Sequence, residues 1–92
     1  MERKDQIIFI RSQHPEEQLL EVKTDLNATT NSIDYELTWL DDEELLKIVH
    51  KKHKTTVYVF YSEIKYMTFI GDNQPKTDKY NMYQLNYNHI GG

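Results

Sequence analysis

The sequence predicts a single small α+β domain, with one helix packed on a mostly antiparallel sheet that curls toward a partly open barrel, in the order β-β-β-α-β-β-β. Three observations point there. Ninety-two residues, 38% of them hydrophobic, hold apolar side chains for one core only. Apolar and polar residues alternate with a period of two through several stretches, which lays one face of a strand on a core and the other in water. One stretch, 45–49, instead carries apolar residues at helical spacing behind an acidic turn. Residues 1–88 are expected to form the domain and 89–92 a flexible tail.

Taken in order, residues 6–11 (QIIFIR) are apolar on both faces of a strand period, as in a short strand buried on two sides. Residues 12–17 are polar, contain Pro15 and read as a turn. Leu20, Val22, Thr24 and Leu26 alternate with Glu21, Lys23 and Asp25, giving a second strand. Residues 27–31, small and polar, form a loop, and Ile33, Tyr35, Leu37 and Trp39 alternate with Asp34, Glu36 and Thr38 as a third strand. A connection this short predicts that strands two and three pair as an antiparallel hairpin.

Asp41, Asp42, Glu43 and Glu44 supply an acidic first turn, with Asp41 as cap and Glu44 three residues on. Leu45, Leu46, Ile48 and Val49 then form one apolar stripe, and His50, Lys51, Lys52, His53 and Lys54 place cations at the carbonyl end. A helix is therefore expected to end near 52–54. Residues 56–61 (TVYVFY) and 64–70 (IKYMTFI) read as two strands, or one broken near Ser62 and Glu63. Residues 71–79 (GDNQPKTDK) form an exposed loop, and 80–88 resume the strand period through Tyr83, Leu85 and Tyr87.

Composition excludes several classes. The longest apolar runs, 7–10 and 57–61, fall far short of the roughly 18 residues of a membrane helix, and no basic start, apolar stretch and small-residue cleavage site announce secretion. With no cysteine there is neither a disulfide framework nor a thiolate metal site, which suits a reducing cytoplasm. Ser12, Ser32 and Ser62 lie outside any GxSxG elbow, and the only glycines, Gly71, Gly91 and Gly92, build no phosphate loop. His50 and His53 are three apart, yet no HExxH or paired Cys/His spacing exists for a metal. No catalytic residue, metal or cofactor is expected. Asn27-Ala28-Thr29 matches the N-glycosylation pattern, which has no use without export.

Charge is the most informative feature. Residues 1–49 carry a net charge of −7 and residues 50–92 a net charge of +3. Between Glu16 and Glu44 ten acidic side chains face one base, Lys23. On the expected hairpin Glu21, Asp25, Asp34 and Glu36 share the outward face, where like charges oppose sheet formation. With Asp41, Asp42, Glu43 and Glu44 they form the candidate contact of a non-catalytic protein that occupies a partner's basic groove. Where that groove normally holds nucleic acid, the strip acts as a phosphate mimic. Size, acidity and lack of cysteine are similar to those of phage and mobile-element accessory proteins that inhibit host defence or nucleic-acid-handling enzymes, a likeness that assigns no residue.

Two other classes compete. Residues 85–92, a strand end running into Gly91 and Gly92, resemble the C-terminus of ubiquitin-like modifiers, which implies activation and transfer of the terminal carboxylate; that family places its helix directly after the first hairpin, whereas here strand 33–39 intervenes. Lys51, Lys52 and Lys54, with seven tyrosines elsewhere, are the candidate contacts of a single-stranded nucleic-acid binder, against which the net acidity works. An exposed edge strand such as 80–88 offers a route to a homodimer.

Overall fold

In a computed structural model, described over residues 2–16, 18–25, 29–70 and 80–85, one helix and two antiparallel sheets share one core. The α+β class holds. The place of the helix does not.

Helix α1 is Arg3–Ser12, where a strand was expected over 6–11. The apolar run is read by the core at a spacing of three: Ile7 and Ile10 are buried, while Phe9 between them is 58% exposed. Unbroken helix formers before Ile7, Asp5 in the first turn and Arg11 in the last favour the helix. Ser12 Oγ donates to the Phe9 carbonyl (2.6 Å), and Pro15 follows at the distance where helices stop.

Strands β1 (Leu19–Thr24) and β2 (Thr29–Asn31) pair as the first hairpin, so β2 occupies part of the expected loop. Leu20, Val22 and Thr24 are buried, as their alternation predicts; Leu26 and residues 27–28, with the glycosylation pattern's Asn, lie outside the described residues. Asn31 Oδ1 accepts the N–H groups of Ile33 and Asp34 (both 2.9 Å) and turns the chain away from this sheet. Strand β3 (Tyr35–Leu40) therefore does not pair with β1. It pairs with β4 (Leu45–His50), and β4 with β5 (Thr56–Phe60), as a three-stranded meander.

The expected helix after Asp41 is thus a tight turn followed by a strand. Glu43 N–H bonds to Leu40 O (3.1 Å) and Glu44 N–H to Asp41 O (3.2 Å). Glu44 then takes a left-handed φ of 57°, which reverses the chain instead of propagating a helix. In β4 Leu46 and Ile48 face the core while Leu45, Lys47 and Val49 face out, a period of two that the stripe 45–49 also satisfies. The β4–β5 turn is closed by His50, whose Nδ1 accepts from Lys52 N–H (3.2 Å) and His53 N–H (3.1 Å).

A 3₁₀ turn, Tyr61–Glu63, carries the chain from one sheet to the other. Beyond it β6 (Ile64–Ile70) pairs with β1 and with β7 (Tyr80–Gln84), giving the order β2-β1-β6-β7. Two strands, or one broken near Ser62 and Glu63, was the expectation; there are two, and they belong to different sheets. Leu20 opposes Phe69 and Val22 opposes Met67 on the core side. Against them lie Leu46, Ile48, Tyr61 and Leu85, with Ile7 and Ile10 of α1, in one cluster. The expected loop 71–79 and tail 89–92 lie outside the described residues. No described helix is long and apolar enough to cross a membrane.

Candidate functional site

Where α1 meets the β3–β4 turn, Arg11 and Asp41 form a two-pronged ion pair (Nη1 to Oδ1 2.8 Å, Nη2 to Oδ2 3.4 Å). The Arg11 guanidinium lies 4.9 Å from the centre of the Trp39 ring. Tyr61, almost fully buried, donates its phenolic hydrogen to Asp41 Oδ1 at 2.5 Å. Hydrogen bonding by Arg11 is the main reason the Asp41 carboxyl titrates below its ordinary range, with Tyr61 adding to it against the cost of desolvation. Burial, reinforced by the Asp41 carboxylate, pushes the Tyr61 phenol well above its ordinary range. The carboxylate is held ionised and the phenol protonated, so neither offers a proton near neutrality. This cluster ties helix to hairpin.

The four carboxylates expected on one outward face, Glu21, Asp25, Asp34 and Glu36, do not share a hairpin, and the turn Asp41–Glu44 stands apart from β1. Glu21 lies in the middle of β1, half-buried between Asn31 and Thr68. Asp25 is exposed beyond the end of β1, its N–H bonded to Glu63 O (2.8 Å). Glu36 is exposed near the start of β3, in the other sheet, and Asp34 is exposed in the turn before it, where its carbonyl accepts from Lys51 N–H (2.9 Å). Asp41 is occupied internally. The strip fails because the hairpin that carried it does not form, and strand β3 places about 20 Å between its two ends. Asp42, Glu43 and Glu44 do share one place, exposed on the β3–β4 turn.

Beside that turn the outward face of the meander is unusually apolar. Leu40 opposes Leu45, and Leu45 opposes Phe60, making one cross-strand row. The next row is Thr38, Lys47 and Tyr58. Phe60 is 59% and Tyr58 54% exposed. Three carboxylates thus border an apolar row on a rigid sheet.

A groove of about 910 Å³ opens between the end of α1 and β3, lined by Ile8, Arg11, His14, Tyr35, Trp39 and Lys51 among others. His14 stacks on Phe69 (centroids 3.9 Å apart, planes 6°), and its ring nitrogens meet Gln18 Oε1 and the Tyr83 hydroxyl, both at 2.9 Å. Ser12 Oγ is bonded to Phe9 O and Ser32 Oγ accepts from Leu20 N–H (2.8 Å). These polar groups are already engaged in holding the fold. Among the described residues no group of three or more His, Cys, Asp or Glu is placed to hold a metal ion.

Of the other candidates, Lys51, Lys52 and Lys54 are exposed on the β4–β5 turn, and Lys51 Nζ reaches Ser32 O (3.2 Å). Tyr35 is half-buried, edge-on against His50 (4.8 Å). Gly91 and Gly92 lie outside the described residues. The Arg11–Asp41–Tyr61 cluster had no local signal, its members being 20 and 30 residues apart. The apolar outward face had one: residues 56–60 are apolar on both sides of a strand period. Comparison of the chain with family models, curated proteins and solved structures finds no significant match.

Proposed function

We propose that this protein is a non-catalytic binding protein that occupies a basic-rimmed surface of a partner protein with the β3–β4 turn and the apolar row beside it. The observation that carries this reading is the juxtaposition of exposed Asp42, Glu43 and Glu44 with the row Leu40, Leu45 and Phe60. Carboxylates steer a basic partner and exclude acidic ones. Apolar side chains supply the burial that holds the complex, an exposed phenylalanine being worth about 1.5–3 kcal/mol when fully covered. A continuous nucleic-acid mimic is less favoured than at the level of sequence, because Glu21 and Glu36 belong to different sheets. The small, acidic, cysteine-free composition supports a cytoplasmic inhibitor of the kind phages and mobile elements carry.

The test uses the wild-type chain, a D42K/E43K variant and F60S as baits in the native cytoplasm. A basic-surfaced protein retained by the wild type, released by rising salt and lost with both variants is the expected result. Equal retention by all three overturns the reading. So does retention of single-stranded DNA that disappears when Lys51, Lys52 and Lys54 are neutralised, or a covalent conjugate that requires Gly91 and Gly92.

A further inference from the structure

We propose that two copies of this chain associate through β5, aligned antiparallel about a two-fold axis at Tyr58, so that their meanders join into one six-stranded sheet. Among the described residues strand β5 has a single neighbour, β4. The bonds that bracket their pairing, His50 N–H to Thr55 O (2.9 Å) and Tyr61 N–H to Glu44 O (3.0 Å), fix the alternation. Backbone groups of Val57 and Val59 face β4, and those of Thr56, Tyr58 and Phe60 face away. Glu63 Oε1 takes the Phe60 N–H (3.2 Å). The N–H groups of Thr56 and Tyr58 and the carbonyls of Thr56, Tyr58 and Phe60 remain turned toward the open side.

Natural sheet edges are protected by charge, proline, bulges or brevity. Strand β2 is only three residues long and β3 carries the exposed Glu36. Residues 56–60 (TVYVF) have no charge, no proline and no glycine, and Val57, Tyr58 and Phe60 are each more than half exposed. Val57 is the most telling of them. It opposes Ile48, whose side chain is buried in the core, yet it is 55% exposed. Among the described residues no strand lies beside it on the far edge of the sheet.

A second copy supplies one, because the strand is nearly palindromic about Tyr58. Antiparallel pairing there sets Val57 against the partner's Val59 on the core side. On the outward side it sets Tyr58 against the partner's Tyr58 and Thr56 against the partner's Phe60. β-branched and aromatic residues opposite one another are favourable pairs. No like charges meet in the strand, although each copy carries a net charge of −4. Six backbone hydrogen bonds close the joint, two between the Tyr58 residues and two in each Thr56–Phe60 pair, where the partner's Thr56 carbonyl displaces Glu63 Oε1 from the Phe60 N–H. A joint of one strand pair lies at the small end of specific interfaces, below about 1,200 Å², where association is weak.

Sedimentation of the full chain from about 1 to 500 μM tests this. The expected result is a shift from 11.1 kDa toward twice that mass across this range. Tyr58→Lys places two ammonium groups at the axis and should weaken self-association at least about tenfold, with the circular dichroism of the fold unchanged. Mixing Tyr58→Lys with Tyr58→Glu should restore a dimer, which requires position 58 to meet itself. A monomer throughout the range, a dimer indifferent to Tyr58→Lys, or failure of the mixture to associate overturns the proposal. The D42K/E43K variant should dimerise as the wild type does, which separates this result from that of partner binding.

Discussion

Replacing Tyr61 by phenylalanine removes one hydroxyl and leaves the ring that fills the junction between the sheets. The lost hydroxyl donates to Asp41 Oδ1 at 2.5 Å. Hydrogen bonds to charged groups contribute about 1.5–3 kcal/mol. The Asp41 side chain is 33% exposed and keeps Arg11, which puts the loss at the lower end, about 1.5 kcal/mol. At about 4–8 °C per kcal/mol for a domain of this size, Tm should fall by about 6–12 °C at pH 7, with the urea m-value unchanged. Thermal and urea melts at one fixed protein concentration check this, since self-association ties stability to concentration.

Titration sharpens the same test. Asp41 has a lowered folded pKa, so its contribution is complete above the unfolded value near 3.8 and is lost as pH falls through the folded value. Tyr61 has a raised folded pKa, so its contribution is complete below about 10 and drains as pH rises further, by about 1.4 kcal/mol per pH unit. Tyr61→Phe should therefore flatten the alkaline limb above pH 10 and reduce the acid loss below pH 4. A Tm change under about 2 °C, or an alkaline limb as steep as in the wild type, refutes the assignment of Tyr61 as the buried donor.

Three further outcomes follow from single residues. Glu44 holds a φ of 57°, so Glu44→Gly should raise stability by about 0.5–1 kcal/mol, read by urea melts. Gln6 Oε1 is buried without a hydrogen-bond partner among the described residues, and Gln6→Met should be neutral or stabilising by up to about 1 kcal/mol; a loss of more than that would show that the amide is satisfied. His14→Ala removes the stack on Phe69 and the bonds to Gln18 and Tyr83, and should lower stability by about 1–3 kcal/mol in the same melts.

The alternating stretches were legible wherever one face alone meets the core. Leu20, Val22 and Thr24 lie buried as their spacing requires, and Tyr35, Leu37 and Trp39 pack against the core from β3. Two apolar stretches, 6–11 and 45–49, were not legible. Residues 6–11 satisfy a buried strand and a helix equally until the core selects Ile7 and Ile10, and 45–49 satisfy both periods until Glu44 reverses the chain. Asp41 had the sequence context of a helix cap, but its carboxylate is spent on Arg11 and Tyr61, partners that only tertiary structure supplies. The candidate acidic face failed for a related reason. Its coherence depended on pairing 20–26 with 33–39, and the turn set by Asn31 sends the second of these to another sheet. What survived, Asp42 to Glu44, is contiguous in the chain and needs no pairing to stay together.

The meander lies between the strands of the first sheet in chain order, since β6 holds β1 and β7 together and is made after β5. A nascent chain that has left the ribosome only as far as Phe60 has all three strands of the meander, which are neighbours in sequence and quick to pair. It still lacks Met67 and Phe69 to cover Leu46 and Ile48. Solubility during synthesis therefore hinges on the last third of the chain, and a pause in translation between β5 and β6 would hold the greasiest surface of this molecule open to its neighbours on the same polysome.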